Sequence, residues 1–354
     1  MVLFRMKTID REQLGCVMFL THFARYQLSP SLQHLIVNVT NHCNFRCKHC
    51  FIDFSKKREL DLEKYQEIGR EVGPLFWLDI AGGEPFLRKD LIDIISSFQA
   101  EVVTIPTNAF MVERTVAMAM RLKEAIKSEL TIAISVDGLK ETHDRIRKAG
   151  SWDRLWTTYG QLRKIKGLHV KINTVLCNEN KSEILPLMEY VYQQRPDFHS
   201  IILLRGSPMD PSFGLPTMEE LHAMQGPIFE ILGRYHYGQN FVTSHLLRNY
   251  HRYLWNVSLA TLSQHTQVIP CLAGQAHAVI MSNGDVSSCE MLPPIGNLNQ
   301  LGWRQIWEEP TLEVQRRSIR NKECYCTHNC AMLDSILYRP ASYPGLITGV
   351  TLEQ

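Results

Sequence analysis

From residue 35 onward, short apolar runs alternate with longer amphipathic segments, and this alternation limits the folds open to the chain. Six strand-like runs are predicted, and most are followed by a segment with a repeat near 3.6 residues. Such β–α units predict parallel strands joined by right-handed crossovers. Six units fall short of a closed eight-unit barrel, so we expect an α/β fold built on a partial (β/α)6 TIM-like barrel, with ligands at the carboxyl ends of its strands. The six runs cover residues 35–40, 76–80, 102–106, 130–136, 170–176 and 200–204.

The alternation stops near residue 206, where a loop rich in glycine and proline begins. Beyond it, Thr217 and Glu220 have the spacing of a capping box that opens a helix. Asn283-Gly284 predicts the turn of a β-hairpin. We therefore expect an N-terminal helical extension (1–34), the barrel (35–206), a helical connecting region (207–264), a small α+β domain with the hairpin (265–335) and a C-terminal tail (336–354).

Composition and charge exclude several classes of function. Hydrophobic residues make up 45% of the 354 residues and charged residues 21%, as is typical of globular proteins. The net charge of +2, from 38 basic and 36 acidic residues, does not favour binding to nucleic acid or to an anionic membrane. The longest early apolar run, residues 14–20, is too short to span a bilayer and lacks a signal-peptide cleavage site. We expect a cytoplasmic protein with neither nucleic acid nor membrane among its partners.

The chain has ten cysteines, and eight of them fall into two groups. Disulfides are rare in the reducing cytosol, so clustered cysteines there indicate metal binding. Only Cys16 and Cys177 stand alone. The first group is Cys43, Cys47 and Cys50, and the second is Cys271, Cys289, Cys324, Cys326 and Cys330.

The first group follows the first predicted strand directly, which places it in a loop at the carboxyl end of that strand. Three thiolates can converge on one four-iron cluster and leave one iron open to another ligand. Zinc is the alternative, because structural zinc takes four ligands and His42 or His49 could supply the fourth. The position within a β–α series favours the iron–sulfur cluster, since small zinc modules usually form their own local fold.

In this position, the C-x3-C-x2-C spacing, with the aromatic ring of His49 before the last cysteine, resembles the signature of the radical S-adenosylmethionine (radical SAM) superfamily. Gly82-Gly83-Glu84-Pro85, after the second strand, is similar to the GGEP motif of that family. Its glycines let backbone carbonyls approach the methionine ammonium, and its carboxylate supports this cationic end. The alternative, an ordinary Gly-Pro turn, fits the four residues only in isolation.

Further features of the family recur in order up to residue 206. Thr107-Asn108 resembles the family's Thr-Asn-Gly, although Ala109 takes the place of the glycine. Polar residues at the ends of the later strands resemble those near the cofactor ribose, although lone Asn and Arg residues are more often solvated or capping. The cofactor-binding residues implied by the resemblance are His49, Phe51, Gly82, Gly83, Glu84, Pro85, Thr107, Asn108, Ser135, Asp137, Asn173 and Arg205.

The resemblance also implies a reaction. A 4Fe–4S cluster with one open iron passes an electron to the sulfonium of S-adenosylmethionine, and the resulting 5′-deoxyadenosyl radical abstracts a hydrogen atom from the substrate. A one-electron donor such as flavodoxin or ferredoxin supplies the electron.

The second cysteine group brackets the predicted hairpin and resembles the SPASM and twitch extensions, which carry auxiliary iron–sulfur clusters. Four cysteines fully ligate one cubane. The resemblance therefore implies one auxiliary 4Fe–4S cluster, held by Cys271, Cys289 and two of the three remaining cysteines, Cys324, Cys326 and Cys330. A zinc ribbon uses the same residue types and stays an alternative.

Cys177 follows the fifth predicted strand, at the end of the barrel that faces the radical site. A thiol there could return a hydrogen atom to a substrate radical, which would make the protein an epimerase. The alternative is the commoner role of a lone cysteine, a small buried core residue.

The resemblance leaves the substrate open. Peptide-modifying relatives often carry a leader-binding domain ahead of the barrel, and residues 1–34 are too few for one. We therefore expect dehydrogenation or epimerisation of a small sugar-like substrate in biosynthesis. Oxidation or cross-linking of a ribosomally made peptide is the alternative, and a non-catalytic zinc-binding or electron-transfer protein is an alternative of another class.

Overall fold

The computed structural model of the protein describes residues 11–55, 58–237 and 241–349, and the side chains of residues 11–18 and 241–243 lie outside this description. The predicted N-terminal extension and C-terminal tail are therefore described only in part. The strands are β1 (His34–Thr40), β2 (Leu75–Gly82), β3 (Ala100–Thr107), β4 (Glu129–Ser135), β5 (His169–Leu176), β6 (Phe198–Leu203), β7 (His277–Ile280), β8 (Asp285–Ser287) and β9 (Gly296–Asn297).

The helices follow the strands in the expected alternation. Two of them begin at side-chain caps: Asp61 accepts a hydrogen bond from the Lys64 amide (2.9 Å), and Thr217 with Glu220 forms the predicted capping box. No helix in the described part of the chain is both long and apolar enough to cross a membrane. The helices are α1 (Arg11–Leu28), α2 (Leu62–Val72), α3 (Leu91–Ser96), α4 (Val112–Ala125), α5 (Lys140–Ile146), α6 (Ser151–Leu162), α7 (Ile184–Gln193), α8 (Met218–Gly233), α9 (Phe241–Gln264), α10 (Trp303–Glu308), α11 (Pro310–Arg320), α12 (Asn329–Leu337) and α13 (Tyr343–Thr348).

Strands β1 to β6 pair in chain order, and every pair among them is parallel. All six predicted strands are present, with ends that differ from the prediction by at most two residues. The predicted α/β class and partial barrel are therefore confirmed. Because the strands are parallel, the loops that follow β1, β2 and β3 meet at the same edge of the sheet.

The main core lies between the sheet and the helices that cover it. Val37 and Ile80 from the strands pack with Ile94, Leu122 and Leu155 from the helices, and all five are fully buried. Burial of each such side chain contributes about 1.5–3 kcal/mol relative to an exposed one. This packing makes the sheet a rigid support for the loops at its carboxyl edge.

The predicted hairpin is present, and it extends the barrel sheet. Strand β7 pairs in parallel with β1, with His34 opposite His277 and Val37 opposite Ile280. Strands β8 and β9 continue the sheet in antiparallel fashion, so its order is β6-β5-β4-β3-β2-β1-β7-β8-β9. The loop after β8, which carries Cys289, is thereby held at a fixed position relative to the barrel.

Candidate active site at the carboxyl ends of the strands

A cavity of about 470 Å³ opens at the carboxyl ends of the barrel strands. Ligand cavities typically have volumes of about 300–1,000 Å³. A first wall comes from the loops after β1, β2 and β3, and a second wall comes from the end of β6 and from the β7–β8 hairpin with the loop that follows it. The sequence-predicted residues on its walls are Cys43, Cys47, Cys50, His49, Phe51, Gly82, Gly83, Glu84, Thr107, Asn108, Ser135 and Arg205.

The three cysteines of the first group lie together in the loop after β1. Their sulfurs are close enough to influence one another electrostatically. The Phe45 amide donates a hydrogen bond to Cys43 Sγ (3.3 Å), and Arg147 Nη1 lies 3.9 Å from Cys47 Sγ. Burial raises the pKa of Cys47 to about 12, so metal binding must displace the thiol proton. Three clustered thiols at an open cavity are a donor set that fits a cluster with one iron free for a further ligand.

Gly82 and Gly83 allow the end of β2 to approach the cysteine loop closely. The Gly83 amide donates to Thr40 O (2.7 Å), and the Glu84 amide donates to His42 O (2.9 Å). A Cβ atom on Gly82 would lie 2.2 Å from Thr40 O, and one on Gly83 would lie 2.3 Å from His42 O. Gly82 also has a φ of +124°, which other residues rarely adopt. Both positions therefore require glycine.

Glu84 is held by residues at the end of β3. Its carboxylate accepts hydrogen bonds from Thr107 Oγ1 (2.9 Å) and from the Asn108 amide (2.8 Å). Burial raises the pKa of Glu84 to about 7, so a cationic ligand beside it would stabilise the ionised form. Ala109, which replaces the family's glycine, takes a left-handed φ of +55° and preserves the turn. Separate segments of the sequence thus form one anionic corner of the cavity.

Asp137 supports the cysteine loop from behind the cavity wall. His49 Nε2 lies 2.9 Å from Asp137 Oδ2, the Arg147 guanidinium contacts the same oxygen, and the Val175 amide donates to Oδ1 (2.8 Å). Although burial opposes ionisation, Arg147 and then His49 hold the pKa of Asp137 well below its usual value. Asp137 is fully buried and is not among the cavity-lining residues, so this placement does not support the predicted contact with the cofactor.

Arg205 and Glu290 join the barrel to the hairpin wall of the cavity. Arg205 Nη2 donates to Glu290 Oε2 (2.7 Å), and the guanidinium lies over the Phe51 ring, 5.1 Å from its centre. Although burial opposes ionisation, Arg205 and then His328 hold the pKa of Glu290 well below its usual value. Because Glu290 directly follows Cys289, this ion pair connects the cavity wall to the second cysteine group.

Four cysteines of the second group lie together. Cys271, Cys289, Cys324 and Cys326 are close enough to influence one another electrostatically. Hydrogen-bond donors surround their sulfurs: the Ala273 amide lies 3.5 Å from Cys271 Sγ, and Gln267 Nε2 lies 3.6 Å from Cys324 Sγ. The fifth, Cys330, has a different direct partner, because its sulfur lies 3.5 Å from Asp79 Oδ2.

Three further predicted residues lie away from the cavity walls. Pro85 is buried at the start of a 3-10 turn, and Asn173 lies within β5, where its carbonyl accepts from the Val136 amide (2.9 Å). Cys177 is fully buried and packs with Ile146 and Phe213. Burial raises the pKa of Cys177 to about 11. The predicted hydrogen-donor role of Cys177 therefore conflicts with its placement, and the core role fits it.

Arg147 and Glu290 are the site residues that sequence reasoning did not assign. Arg147 ends the helical segment after Asp137, and only the fold brings its guanidinium to Cys47. Glu290 had a usable signal, since it is the neighbour of a cysteine predicted to bind metal. Its contact with Arg205, across 85 positions of sequence, is a property of the tertiary structure.

Two protein families match the sequence. The radical SAM superfamily matches residues 37–191, which include the first cysteine group. SPASM, an iron–sulfur cluster-binding domain, matches residues 271–331, which include the whole second group. The first match implies a 4Fe–4S cluster and S-adenosylmethionine, and the second implies an auxiliary iron–sulfur cluster. The cofactors predicted from the sequence are thus confirmed at the level of these families.

Curated relatives match about half of the chain. GTP 3′,8-cyclase of Helicobacter pylori (strain HPAG1) is 35% identical over 179 residues, which cover 46% of this chain and 53% of that protein. Fe-coproporphyrin III synthase of Methanosarcina barkeri (strain Fusaro / DSM 804) is 26% identical over 201 residues, or 52% of this chain and 48% of that protein. The chain spans about half the length of the curated relatives it matches.

Solved structures share the fold over most of the chain. SuiB of Streptococcus suis aligns with a TM-score of 0.61 at 15% identity and covers 86% of this chain and 72% of its own. The structure of anSMEcpe with AdoMet and the Cp18Cys peptide aligns with a TM-score of 0.59 at 17% identity and covers 90% of this chain and 98% of its own. At these identities the likeness shows the fold alone.

Proposed function

Because the chain belongs to the radical SAM superfamily and carries a SPASM iron–sulfur domain, we propose that it is an oxidising enzyme that removes hydrogen from a substrate in the cavity between the two cysteine groups. When bound, the first cluster and S-adenosylmethionine supply a carbon-centred radical by reductive cleavage of the sulfonium. The observation that carries the proposal is the cavity itself, because its lining includes both Cys43, Cys47 and Cys50 and Glu290, the neighbour of Cys289.

The residues of the first wall would have separate roles in binding the cluster and S-adenosylmethionine. Cys43, Cys47 and Cys50 would hold the cluster. Glu84 would face the ammonium of S-adenosylmethionine, because its buried carboxylate is fixed at the cavity wall by Thr107 and Asn108. His49 and Arg147, both held by Asp137, would keep the cysteine loop in one conformation.

An auxiliary cluster held by the second cysteine group would accept the electron that oxidation releases, and the accompanying proton would leave to solvent. Cys271, Cys289, Cys324 and Cys326 are the proposed ligands of the auxiliary cluster, because these four lie together. Donors to a cluster's sulfurs influence its reduction potential, so the amide beside Cys271 and the Gln267 side chain would tune this centre. A flavodoxin or ferredoxin would reduce the first cluster.

The geometry favours oxidation over epimerisation. Epimerisation needs a group that returns a hydrogen atom to the substrate radical, and Cys177, the thiol predicted for that step, is enclosed by apolar side chains. By contrast, Cys289, a proposed ligand of the auxiliary cluster, is the direct neighbour of the cavity-lining residue Glu290.

The test measures S-adenosylmethionine cleavage and product oxidation in the same anaerobic reaction. Protein reconstituted with iron and sulfide is given a strong reductant, with candidate sugars, nucleotides and peptides supplied separately in D2O. We expect 5′-deoxyadenosine formation and a product two mass units lighter than its substrate. Cys47→Ala should form no 5′-deoxyadenosine, whereas Cys289→Ala should still form it but give no oxidised product.

Other outcomes separate the alternatives. A product of unchanged oxidation state with deuterium at one carbon would favour epimerisation and contradict the oxidation proposal. Oxidation of a peptide, with no oxidation of the sugars or nucleotides, would identify a peptide maturase. Absence of 5′-deoxyadenosine from fully reconstituted protein would leave a non-catalytic electron-transfer or zinc-binding role.

A further inference from the structure

A thiol, an imidazole and a carboxylate converge towards the amino ends of β1 and β7. Cys330 on α12 places its sulfur 3.5 Å from Asp79 Oδ2 on β2. His34, the first residue of β1, places Nε2 at 3.2 Å from the same oxygen. The three ligand atoms all lie within 4.8 Å of one another. None of these residues is among those that line the catalytic cavity.

The distances between these atoms match the edges of a tetrahedral zinc site. With Zn–N and Zn–O bonds of about 2.0 Å and a Zn–S bond of about 2.3 Å, a tetrahedron places N and O about 3.3 Å apart and S and O about 3.5 Å apart. The observed N···O distance is 3.2 Å, and the observed S···O distance is 3.5 Å. Two of the three edges therefore match a zinc site, and the third, between His34 Nε2 and Cys330 Sγ, is shorter than 4.8 Å.

A further carboxylate fixes the orientation of His34. Its Nδ1 lies 2.9 Å from Asp334 Oδ2, which directs Nε2 towards Asp79 and Cys330. His277 Nδ1 lies 3.0 Å from the same Asp334 oxygen and holds that carboxylate in place. Metal-bound histidines usually have such a carboxylate at the second ring nitrogen, where it sets the tautomer and the ring orientation.

Asp79 has an unused oxygen at this point. Its Oδ1 is buried and has no hydrogen-bond partner among the described residues. Buried polar atoms are normally paired, so an unpaired one calls for an explanation such as an ion. About 17% of the Asp79 side chain, and part of Cys330, still face the barrel interior, where a fourth ligand could bind.

We propose that His34, Asp79 and Cys330 bind one zinc ion at this second site, with Asp334 as the positioning residue. The proposal rests on the proposed function in one respect, because it needs the other four cysteines of the second group to suffice for the auxiliary cluster. Zinc binding displaces two protons to solvent, one from Cys330 and one from Nε2 of His34, and the thiolate with Asp79 then balances the two positive charges.

The metal-free alternative is an ionic cluster with the same geometry. Although burial opposes protonation, Asp334 and Asp79 raise the pKa of His34 to about 10. A protonated His34 between the two carboxylates would then occupy the place of the metal, with the Lys171 charge near Asp79. The two states differ in whether zinc is retained.

The experiment measures zinc and iron together in anaerobically reconstituted protein that has been exposed to zinc and dialysed against a chelator. We expect about one zinc per chain. Zinc-edge X-ray absorption should show one sulfur near 2.3 Å and nitrogen or oxygen ligands near 2.0 Å. Cys330→Ala and the shape-conserving Asp79→Asn should lose the zinc and keep the full iron content, which also reports that the variants fold. Asp334→Asn should weaken zinc binding about 10–100-fold.

Three results would overturn the proposal. Wild-type protein that retains no zinc would establish the ionic cluster. Zinc with four sulfur ligands would place the ion among the auxiliary cysteines and would also contradict the auxiliary-cluster assignment. Loss of iron in Cys330→Ala, with normal iron in Cys324→Ala or Cys326→Ala, would make Cys330 a cluster ligand.

Discussion

Glu84 is the residue whose replacement tests cofactor binding most directly. Glu84→Gln keeps the shape of the side chain but removes its charge. We expect affinity for S-adenosylmethionine to fall about tenfold to a hundredfold, because a hydrogen bond to a charged group contributes roughly 1.5–3 kcal/mol. Calorimetric titration of the reconstituted variant, with its iron content determined, measures the change.

The chain offers a matched control for this substitution. Glu183 also accepts from a threonine hydroxyl (Thr142, 2.7 Å) and from a backbone amide (Leu139, 3.0 Å), but it is not among the cavity-lining residues. Glu183→Gln should bind S-adenosylmethionine as the wild type does. Equal affinities for the Glu84 and Glu183 variants would remove Glu84 from the proposed binding site.

His199 should make the folded state sensitive to acid. Burial, with a smaller contribution from His251, lowers the pKa of His199 to about 3. Thr174 Oγ1 donates to Val136 O, so it must accept from His199 Nε2, which therefore carries a proton. The contribution of the neutral His199 ring to the free energy of unfolding is complete above pH 6.5. It is lost as the pH falls towards 3, because the unfolded chain binds a proton that the folded chain does not.

Replacement of His199 with Gln should therefore flatten the decline in stability between pH 6.5 and pH 4.5. One fewer proton taken up on unfolding removes about 1.4 kcal/mol per pH unit from the slope. Denaturant midpoints measured across this range test the prediction, with the exposed His222→Gln as the control. A slope identical to that of the wild type would show that His199 is protonated in the folded state.

At the scale of residues, motifs that lie within one short segment could be predicted from sequence. Contacts between residues that are far apart in sequence could not. The Cys43–Cys50 group and Gly82-Gly83-Glu84-Pro85 each occupy one short segment, so their spacing and their positions after strands could be compared directly with the motifs of a known family. The separation of Cys330 from the other cysteines depends on the direction in which α12 presents it, and spacing contains no such information. Asp137 was predicted to bind the cofactor because a polar residue at a strand end looks the same from sequence whether it faces the cavity or supports the wall.

At the scale of elements, the junction between β2 and the cysteine loop should be intolerant of a single methyl group. Gly82→Ala and Gly83→Ala each place Cβ within 2.3 Å of a backbone carbonyl oxygen, so the loop must move. We expect both variants to lose most of the iron of the first cluster and to bind S-adenosylmethionine poorly. Iron content and thermal unfolding after reconstitution measure these effects.

Gly160 is the control for these two glycines. It lies within α6, and a Cβ there would meet no atom within 4 Å. Gly160→Ala should raise the unfolding free energy by about 0.5–1 kcal/mol, because alanine loses less backbone entropy than glycine in a helix. Normal iron content in Gly82→Ala would contradict the close-approach argument.

The strands could be predicted because hydrophobic periodicity is a local signal, and all six barrel strands follow it. The partner of the hairpin could not be predicted. The apolar run at β7 would suit either edge of a sheet, and its pairing with β1 depends on contacts far apart in sequence. The presence of the barrel strands could therefore be predicted from sequence, whereas the pairing that joins the barrel sheet to the SPASM strands could not.

At the scale of the whole molecule, the barrel and the SPASM region should not be separable. Ala278, Ile280, Val286 and Ile295 belong to the same buried core as the barrel strands. A fragment that ends at residue 264 would expose this core and the free edge of β1. We expect it to aggregate and to bind a hydrophobic dye.

A full-length variant provides the comparison. Cys289→Ala removes one proposed auxiliary ligand but leaves β7–β9 in the sheet, so it should remain soluble and monodisperse. Soluble fraction, size-exclusion profile and dye fluorescence distinguish the fragment from the full-length Cys289→Ala variant. A soluble, dye-negative fragment 1–264 would show that the barrel folds without the hairpin.

The pairing of β1 with β7 has a consequence for electron tunnelling, whose rate falls exponentially with distance. Cys43 lies just beyond the end of β1, and Cys271 lies just before the start of β7. The hydrogen-bonded backbone between these strands acts as a fixed spacer for the centres that the two groups would hold. Loops at the cavity mouth could then change to admit a different substrate while the spacing between donor and acceptor stays constant.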